Sequence, residues 1–206
     1  MNLLELSNIT KFFNKKTVLD DLNLTVKKGE CIYIYGKNGC GKSTLFKIIC
    51  DILNVNSGIV KIDEQVHLGA LIENPGFIEN ETIMFNLKFL ASLKNNYDEE
   101  KIVKLCNDYS LNYYDKSKLK TYSVGMRQKV GIIQAVMENQ NLILFDEPTR
   151  GIDDDSIKVF EKMVNALVNE GKTIIIASHD FLPNISFTKK YLLDKGKLFI
   201  DEENIE

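Results

Sequence analysis

Several things are scarce in this chain, and each scarcity narrows what it can be. No apolar run approaches the ~20 residues needed to cross a bilayer as a helix. The opening MNLLELSN lacks the charged, apolar and small-residue regions of a signal peptide. The chain is therefore expected to be cytoplasmic, and any membrane role would need a partner subunit. There are four cysteines (Cys31, Cys40, Cys50, Cys106), none in a CxxC or Cys/His spacing. That argues against a disulfide scaffold or a zinc site and for free thiols in a reducing compartment. Positive charge is not in excess: net charge is −3 and the pI is about 5.6. Sequence-independent attraction to nucleic acid or to anionic lipid is not expected. With only three prolines, there is no proline-rich linker, and repeats and low-complexity segments are also missing. What remains is a chain of 206 residues, long enough to bury a full core and suited to a single unit spanning 1–206.

Strand-like and helix-like segments alternate over much of the length. Short β-type runs occur at 3–6 and 17–26. CIYIY at 31–35 reads as a buried strand, followed by a helix from Ser43 to Leu53 and by strands at 58–62 and 66–72. LILF (142–145) and TIIIA (173–177) are continuous apolar runs, the pattern of parallel strands covered on both faces. Between Asp153 and Gly171, apolar residues recur at Ile157, Phe160, Val164 and Leu167, one face of a helix. A last strand run covers 190–200. The stretch from about 80 to 138 has helical periodicity without strands and reads as a helical insertion. The class expected is α/β: a mostly parallel core sheet, an antiparallel N-terminal β portion and the inserted helices.

Chemistry concentrates in a few short segments. Gly36-Lys37-Asn38-Gly39-Cys40-Gly41-Lys42-Ser43, continued by Thr44, fits GxxxxGK[ST] at every fixed position and lies between a strand and a helix. Glycines let backbone amides turn inward around phosphate oxygens, and the helix N-terminus adds partial positive charge. Lys42 is placed to neutralise β- and γ-phosphates, and Ser43 to offer a hydroxyl to Mg2+. In LILFDEP, Asp146 ends a strand where it could hold Mg2+ through its water shell, and Glu147 could polarise an attacking water. His179, in SHD after the TIIIA strand, falls at the sheet edge where open α/β folds bind ligands; a contact to a γ-phosphate is expected of it. His67 lies in a strand run and is expected to be structural.

Taken in order with ENPG at 73–76 and YSVGMRQ at 122–128, these segments resemble the nucleotide-binding subunit of an ATP-binding-cassette (ABC) transporter over essentially the whole chain. The resemblance implies that the family's signature segment, usually LSGGQ, corresponds to Tyr122–Met126. Ser123 and Gly125 are kept, while Val124 and Met126 depart. There it would cover ATP held by a second subunit, in a homodimer or a heterodimer. It also implies that Phe13 stacks on adenine and that Asp153 is the acidic residue of a loop crossing the dimer interface. Glu73 stands where most relatives carry a glutamine that touches Mg2+ and the attacking water and couples to the membrane permease. Being a carboxylate, Glu73 only accepts hydrogen bonds, so its charge requires a cation nearby. The wording of GALIENPGF and YSVGMRQKVGI is similar to that of exporters and immunity ATPases for bacitracin- and lantibiotic-type peptides.

The resemblance leaves other functions open. A non-transport ABC ATPase of the repair or chromosome type would need long coiled coils between Lys42 and Ser123, and that interval is too short for them. An accessory ATPase of the assembly type fits the length better, but the Glu73 segment leans against it. A regulatory subunit that binds ATP with weak turnover is the third possibility. Retention of Lys42, Asp146, Glu147 and His179 argues for a competent half-site.

Overall fold

The computed structural model describes residues 1–93 and 96–201, so positions 94 and 95 of the expected helical insertion lie outside the described residues. Nine strands and five α-helices are named among them. Strands β1 (Asn2–Phe13), β2 (Lys16–Lys27) and β4 (Ser57–Ile62) form an antiparallel sheet in the order β2-β1-β4. The second sheet has the order β5-β6-β7-β3-β8-β9, from β5 (Leu68–Leu71), β6 (Leu142–Asp146), β7 (Thr173–Ala177), β3 (Cys31–Tyr35), β8 (Lys189–Asp194) and β9 (Lys197–Ile200). Its first five strands run parallel, and β9 returns antiparallel to β8. This is the α/β architecture expected, with the antiparallel N-terminal portion.

The continuous apolar strands are explained by two hydrophobic clusters, one on each face of the parallel sheet. On β6, Ile143 and Phe145 enter one cluster and Leu142 and Leu144 the other; on β7, Ile174 and Ile176 oppose Ile175 and Ala177. Helix α1 (Lys42–Ile49) packs its Leu45, Phe46, Ile48 and Ile49 into the cluster shared with the antiparallel sheet. Helices α2 (Ile83–Ser92), α3 (Glu99–Asp108), α4 (Val124–Val136) and α5 (Asp154–Asn169) contribute to the other. The 80–138 stretch holds α2, α3, α4 and a short 3-10 turn at Leu119–Thr121, with a single isolated bridge between Thr82 and Lys118.

Several boundaries differ from those expected. Helix α1 stops at Ile49, not Leu53: Asp51 turns left-handed (φ 56°), and the amides of Ile52 and Leu53 fold back onto the Lys47 carbonyl. The run at 190–200 is a hairpin, because Lys195 and Gly196 both take positive φ (48° and 81°) and reverse the chain. His67 is not in a strand. It precedes β5, pinned by its amide to Asn141 Oδ1 and by its carbonyl to the Asn141 amide. β1 runs far beyond 3–6, to Phe13, since its outer half carries solvent-facing polar residues, whereas β2 exceeds 17–26 by one residue at each end.

Candidate functional site

Strand order, more than sequence proximity, assembles the site. β5, β6, β7 and β3 are neighbours, and their C-terminal ends lead into Glu73, Asp146–Glu147, Ser178–His179 and the glycine loop in turn. This is the edge at which open parallel sheets bind ligands. A cleft of about 740 Å³ lies there, lined by Asn38, Gly39, Gly41, Lys42, Ser43 and Thr44 on one side and by Phe13, Glu73, Glu147 and His179 on the others. Ten of the expected residues thus meet in one cavity. Gly41 precedes α1 at φ 116°, with a would-be Cβ 3.0 Å from Leu19 Cδ2, so glycine is required there on two counts. Phe13 is exposed at the rim, with the Lys11 ammonium over its ring.

Charge at the centre is tightly arranged. Lys42 is buried; its ammonium donates to the Gly36 carbonyl (2.8 Å) and lies 3.3 Å from Glu147 Oε1. The other Glu147 oxygen receives His179 Nδ1 at 2.6 Å, the His179 amide at 3.3 Å and the Ser178 hydroxyl at 3.2 Å. Burial alone would raise the Glu147 carboxyl, but these His179 bonds and the Lys42 charge outweigh it and hold it below the usual range. An ionised carboxylate only accepts, so Nδ1 of His179 carries the proton. Glu147 itself sits at φ 48°, an uncommon backbone state for a residue with a side chain. Gln128 steadies it by donating to the Glu147 and Pro148 carbonyls.

Asp146 behaves differently. Burial raises its carboxyl, the Ser43 hydroxyl bond opposes that, and the charge of Glu147 adds to the rise. Its Oδ1 is buried with no hydrogen-bond partner, an arrangement unfavourable for an anion unless a cation or donor faces it. A hydroxyl beside a carboxylate is a hard oxygen pair suited to a small divalent cation. The described residues contain no group of three or more His, Cys, Asp or Glu able to hold a metal. A cation here would therefore depend on few protein ligands, as Mg2+ bound with phosphates does. Glu73, the third carboxylate, is at φ 51° and pairs with Lys47 of α1 at 2.7 Å, which supplies the cation its charge requires.

Besides Asp146, five expected residues do not line this cleft: Gly36, Lys37, Cys40, Ser123 and Gly125. Gly36 and Lys37 face an adjoining aromatic pocket of about 650 Å³ with Tyr33, Tyr35 and Phe181, which His179 also borders. Ser123 and Gly125 are not in the cleft lining at all. Ser123 caps α4, its hydroxyl accepting from the Met126 amide at 3.1 Å, and is exposed. A Cβ on Gly125 would lie 2.3 Å from the Gly151 carbonyl, so α4 docks closely on the 150–152 loop. Cys40 belongs to the loop backbone, its amide bonding the Lys37 carbonyl, and its half-buried thiol is raised by burial against the Lys42 charge. Asp153 caps α5 and pairs with Lys129 at 2.8 Å; that bond, then those from Ser156, hold its carboxyl far below the usual range. Sequence reasoning missed Val18, Asn74 and Arg150 in the cleft. Arg150, a cation directly after the DEPT turn, was the legible one.

The fold and this edge define a phosphate-loop nucleotide-binding protein. Residues 19–150 match the ABC transporter family, and the chain belongs to it. The lantibiotic transport ATP-binding protein SrtF of Streptococcus pyogenes is 29% identical, the match covering 98% of this chain and 91% of that one. An uncharacterized ABC transporter ATP-binding protein, YhcH of Bacillus subtilis, is 32% identical over 99% of this chain and 70% of its own length. The bacitracin transport ATP-binding protein BcrA of Enterococcus faecalis is 32% identical over 86% and 61%. Among solved structures, a dimeric bacterial ABC transporter cassette, MJ0796, superposes with a TM-score of 0.84 at 23% identity, over 95% of this chain and 96% of that one. The protein is an ATP-binding subunit of a transporter and an ATPase. Subunits of this kind pair with membrane components. No helix among the described residues is long and apolar enough to cross a membrane.

Proposed function

We propose that this chain is the ATP-hydrolysing subunit of an exporter of peptide antibiotics or similar amphipathic compounds. It would work as an ATP-sandwich dimer on the cytoplasmic face of a separate membrane permease. The observation that carries the hydrolytic assignment is the Glu147 carboxylate held between Lys42 (3.3 Å) and His179 (2.6 Å) at the mouth of the glycine loop. The cargo assignment draws on the printed functions of SrtF and BcrA.

ATP is the substrate. The amides and Lys42 of residues 36–44 bind its phosphates, and Phe13 stacks on the adenine. Glu147, ionised by its surroundings, orients the attacking water and accepts its proton as the bond to the γ-phosphate breaks. ADP and inorganic phosphate are the products. His179 fixes Glu147 through Nδ1 and contacts the γ-phosphate. Ser43 and Asp146 would hold Mg2+, which neutralises developing charge on the phosphates, with Glu73 beside them. Ser123 and Gly125, on the tip of α4, cover ATP bound by the second protomer.

Removal of a general base lowers turnover by roughly 10²–10⁴-fold. Glu147→Gln is therefore expected to reduce steady-state ATPase activity of the purified protein by that order while a fluorescent ATP analogue still binds. Turnover near the wild-type rate in this variant would remove the assignment.

A further inference from the structure

The segment that carries His179 has no regular structure of its own. β7 ends at Ala177, Ser178 is irregular, and residues 179–180 lie in bends. Much of what fixes them leads back to Glu147, through the Ser178 hydroxyl, the His179 amide and the His179 ring. A group that takes up a proton during turnover is a poor sole anchor, because its hydrogen bonds change with its charge. Three contacts are independent of it: the Ser178 amide on the Ile34 carbonyl at 3.2 Å, the Thr149 hydroxyl on Asp180 at 3.2 Å, and the phenol of Tyr33.

Tyr33 is in the middle of β3, three residues before Gly36, and is almost fully buried. Its hydroxyl lies 2.9 Å from the Asp180 carbonyl and 3.3 Å from the Ser178 carbonyl, so one donor grips the backbone on both sides of His179. The ring is stacked on Phe187 (centroids 5.0 Å apart) and on Tyr35 (5.7 Å), which leaves the phenol little freedom to turn away. We infer that Tyr33 is a positioning residue for hydrolysis: it ties the His179 backbone to the strand that feeds the glycine loop, keeping the ring on Glu147 through the catalytic cycle. Burial first, then the charges of Glu147 and Asp180, push the phenol up to about 12, so it remains a donor at any pH used to assay the enzyme. The role rests on Glu147 and His179 acting in hydrolysis.

Tyr33→Phe tests it, because the ring and its stacking are kept and only the hydroxyl is lost. A neutral hydrogen bond corresponds to about a three- to ten-fold change in rate. The expected result is a fall in kcat of that size, with KM for ATP and Tm near wild type. The chain has two histidines, and His67 lies before β5 at the opposite edge of the sheet, so ring NMR of histidine-labelled protein supplies an internal control. The His179 signal should shift or broaden in Tyr33→Phe while the His67 signal stays in place; His179→Gln assigns the two. An unmoved His179 signal would overturn the inference, and so would a moved one with unchanged kcat. Displacement of both signals with a lowered Tm would mark a general packing role and also overturn it. Failure of the hydrolytic assignment would show instead as turnover retained in Glu147→Gln, whatever the His179 signal does.

Discussion

At the scale of single residues, the two adjacent carboxylates of the DEP turn are held in opposite electrostatic states. Glu147 is stabilised as an anion by His179 and Lys42, whereas burial disfavours the anion at Asp146 and leaves Oδ1 unpaired. The sign of the consequence for stability follows from linkage. A carboxyl whose folded-state pKa lies above its unfolded value contributes stability at pH below the ordinary carboxylate range, and that contribution is lost as pH rises through the raised value. At neutral pH, then, ionised Asp146 works against the fold. Asp146→Asn, melted without nucleotide and with a chelator present, is expected to raise Tm by a few degrees at pH 7. The gain should vanish in acid, where the native side chain is itself neutral. A lower Tm at pH 7 would show that the carboxylate stabilises the folded state after all. The same substitution should abolish Mg2+-dependent ATP hydrolysis, an exchange of stability for function common at active sites.

At the scale of elements, the close seat of α4 on the 150–152 loop makes the sharpest prediction. Alanine is favoured over glycine in a helix interior by about 1 kcal/mol; Gly125, second residue of α4, would gain at most that from Gly125→Ala. The added Cβ, however, would lie 2.3 Å from the Gly151 carbonyl, and a backbone oxygen cannot swing aside as a side-chain tip can. Overpacking of this kind costs about 1–3 kcal/mol, so the overlap wins. Gly125→Ala is expected to lower Tm and to weaken ATP-dependent dimerisation, read by gel filtration in a Glu147→Gln background; an unchanged elution profile would detach Gly125 from the interface. Legibility in the sequence divides along similar lines. The strands β3, β6 and β7 could be read directly because burial on both faces demands unbroken apolar runs, and the glycine loop, Asp146, Glu147 and His179 followed from their ends. The β8–β9 hairpin was hidden because its turn is tight: only the four polar or glycine residues Asp194–Lys197 separate the apolar residues 191–193 from 198–200. Tyr33 was unreadable as more than core: its partners, Ser178 and Asp180, lie 145 and 147 residues away and meet it only because β7 pairs with β3.

For the molecule as a whole, strand order concentrates negative charge at one edge, with Glu73, Asp146 and Glu147 around a site meant for a polyphosphate. Two lysines balance it, Lys42 from the glycine loop and Lys47 one turn further along α1. The Lys47–Glu73 pair also joins the helix that follows the loop to the segment carrying Glu73, the residue that the family resemblance implies couples to the membrane permease. At about 4 Å and an effective dielectric of ~20, a unit charge pair is worth roughly 4 kcal/mol. Both partners are partly exposed (32% and 54%), and a solvated pair retains only about 0–1 kcal/mol. Lys47→Met should therefore weaken binding of a fluorescent ATP analogue by only about two- to five-fold, because it leaves Glu73 uncompensated beside the phosphates. Glu73→Gln alone should leave binding nearly unchanged, and the double variant Lys47→Met/Glu73→Gln should return to wild-type affinity. If the double variant binds as weakly as Lys47→Met, charge compensation is not what Lys47 provides. In the assembled transporter, Glu73→Gln keeps ATP binding but frees the 73–77 segment from α1. Transport per ATP hydrolysed should then change while ATP affinity does not, since a neutral amide keeps the acceptor and loses the ionic tie between α1 and the segment proposed to couple to the permease.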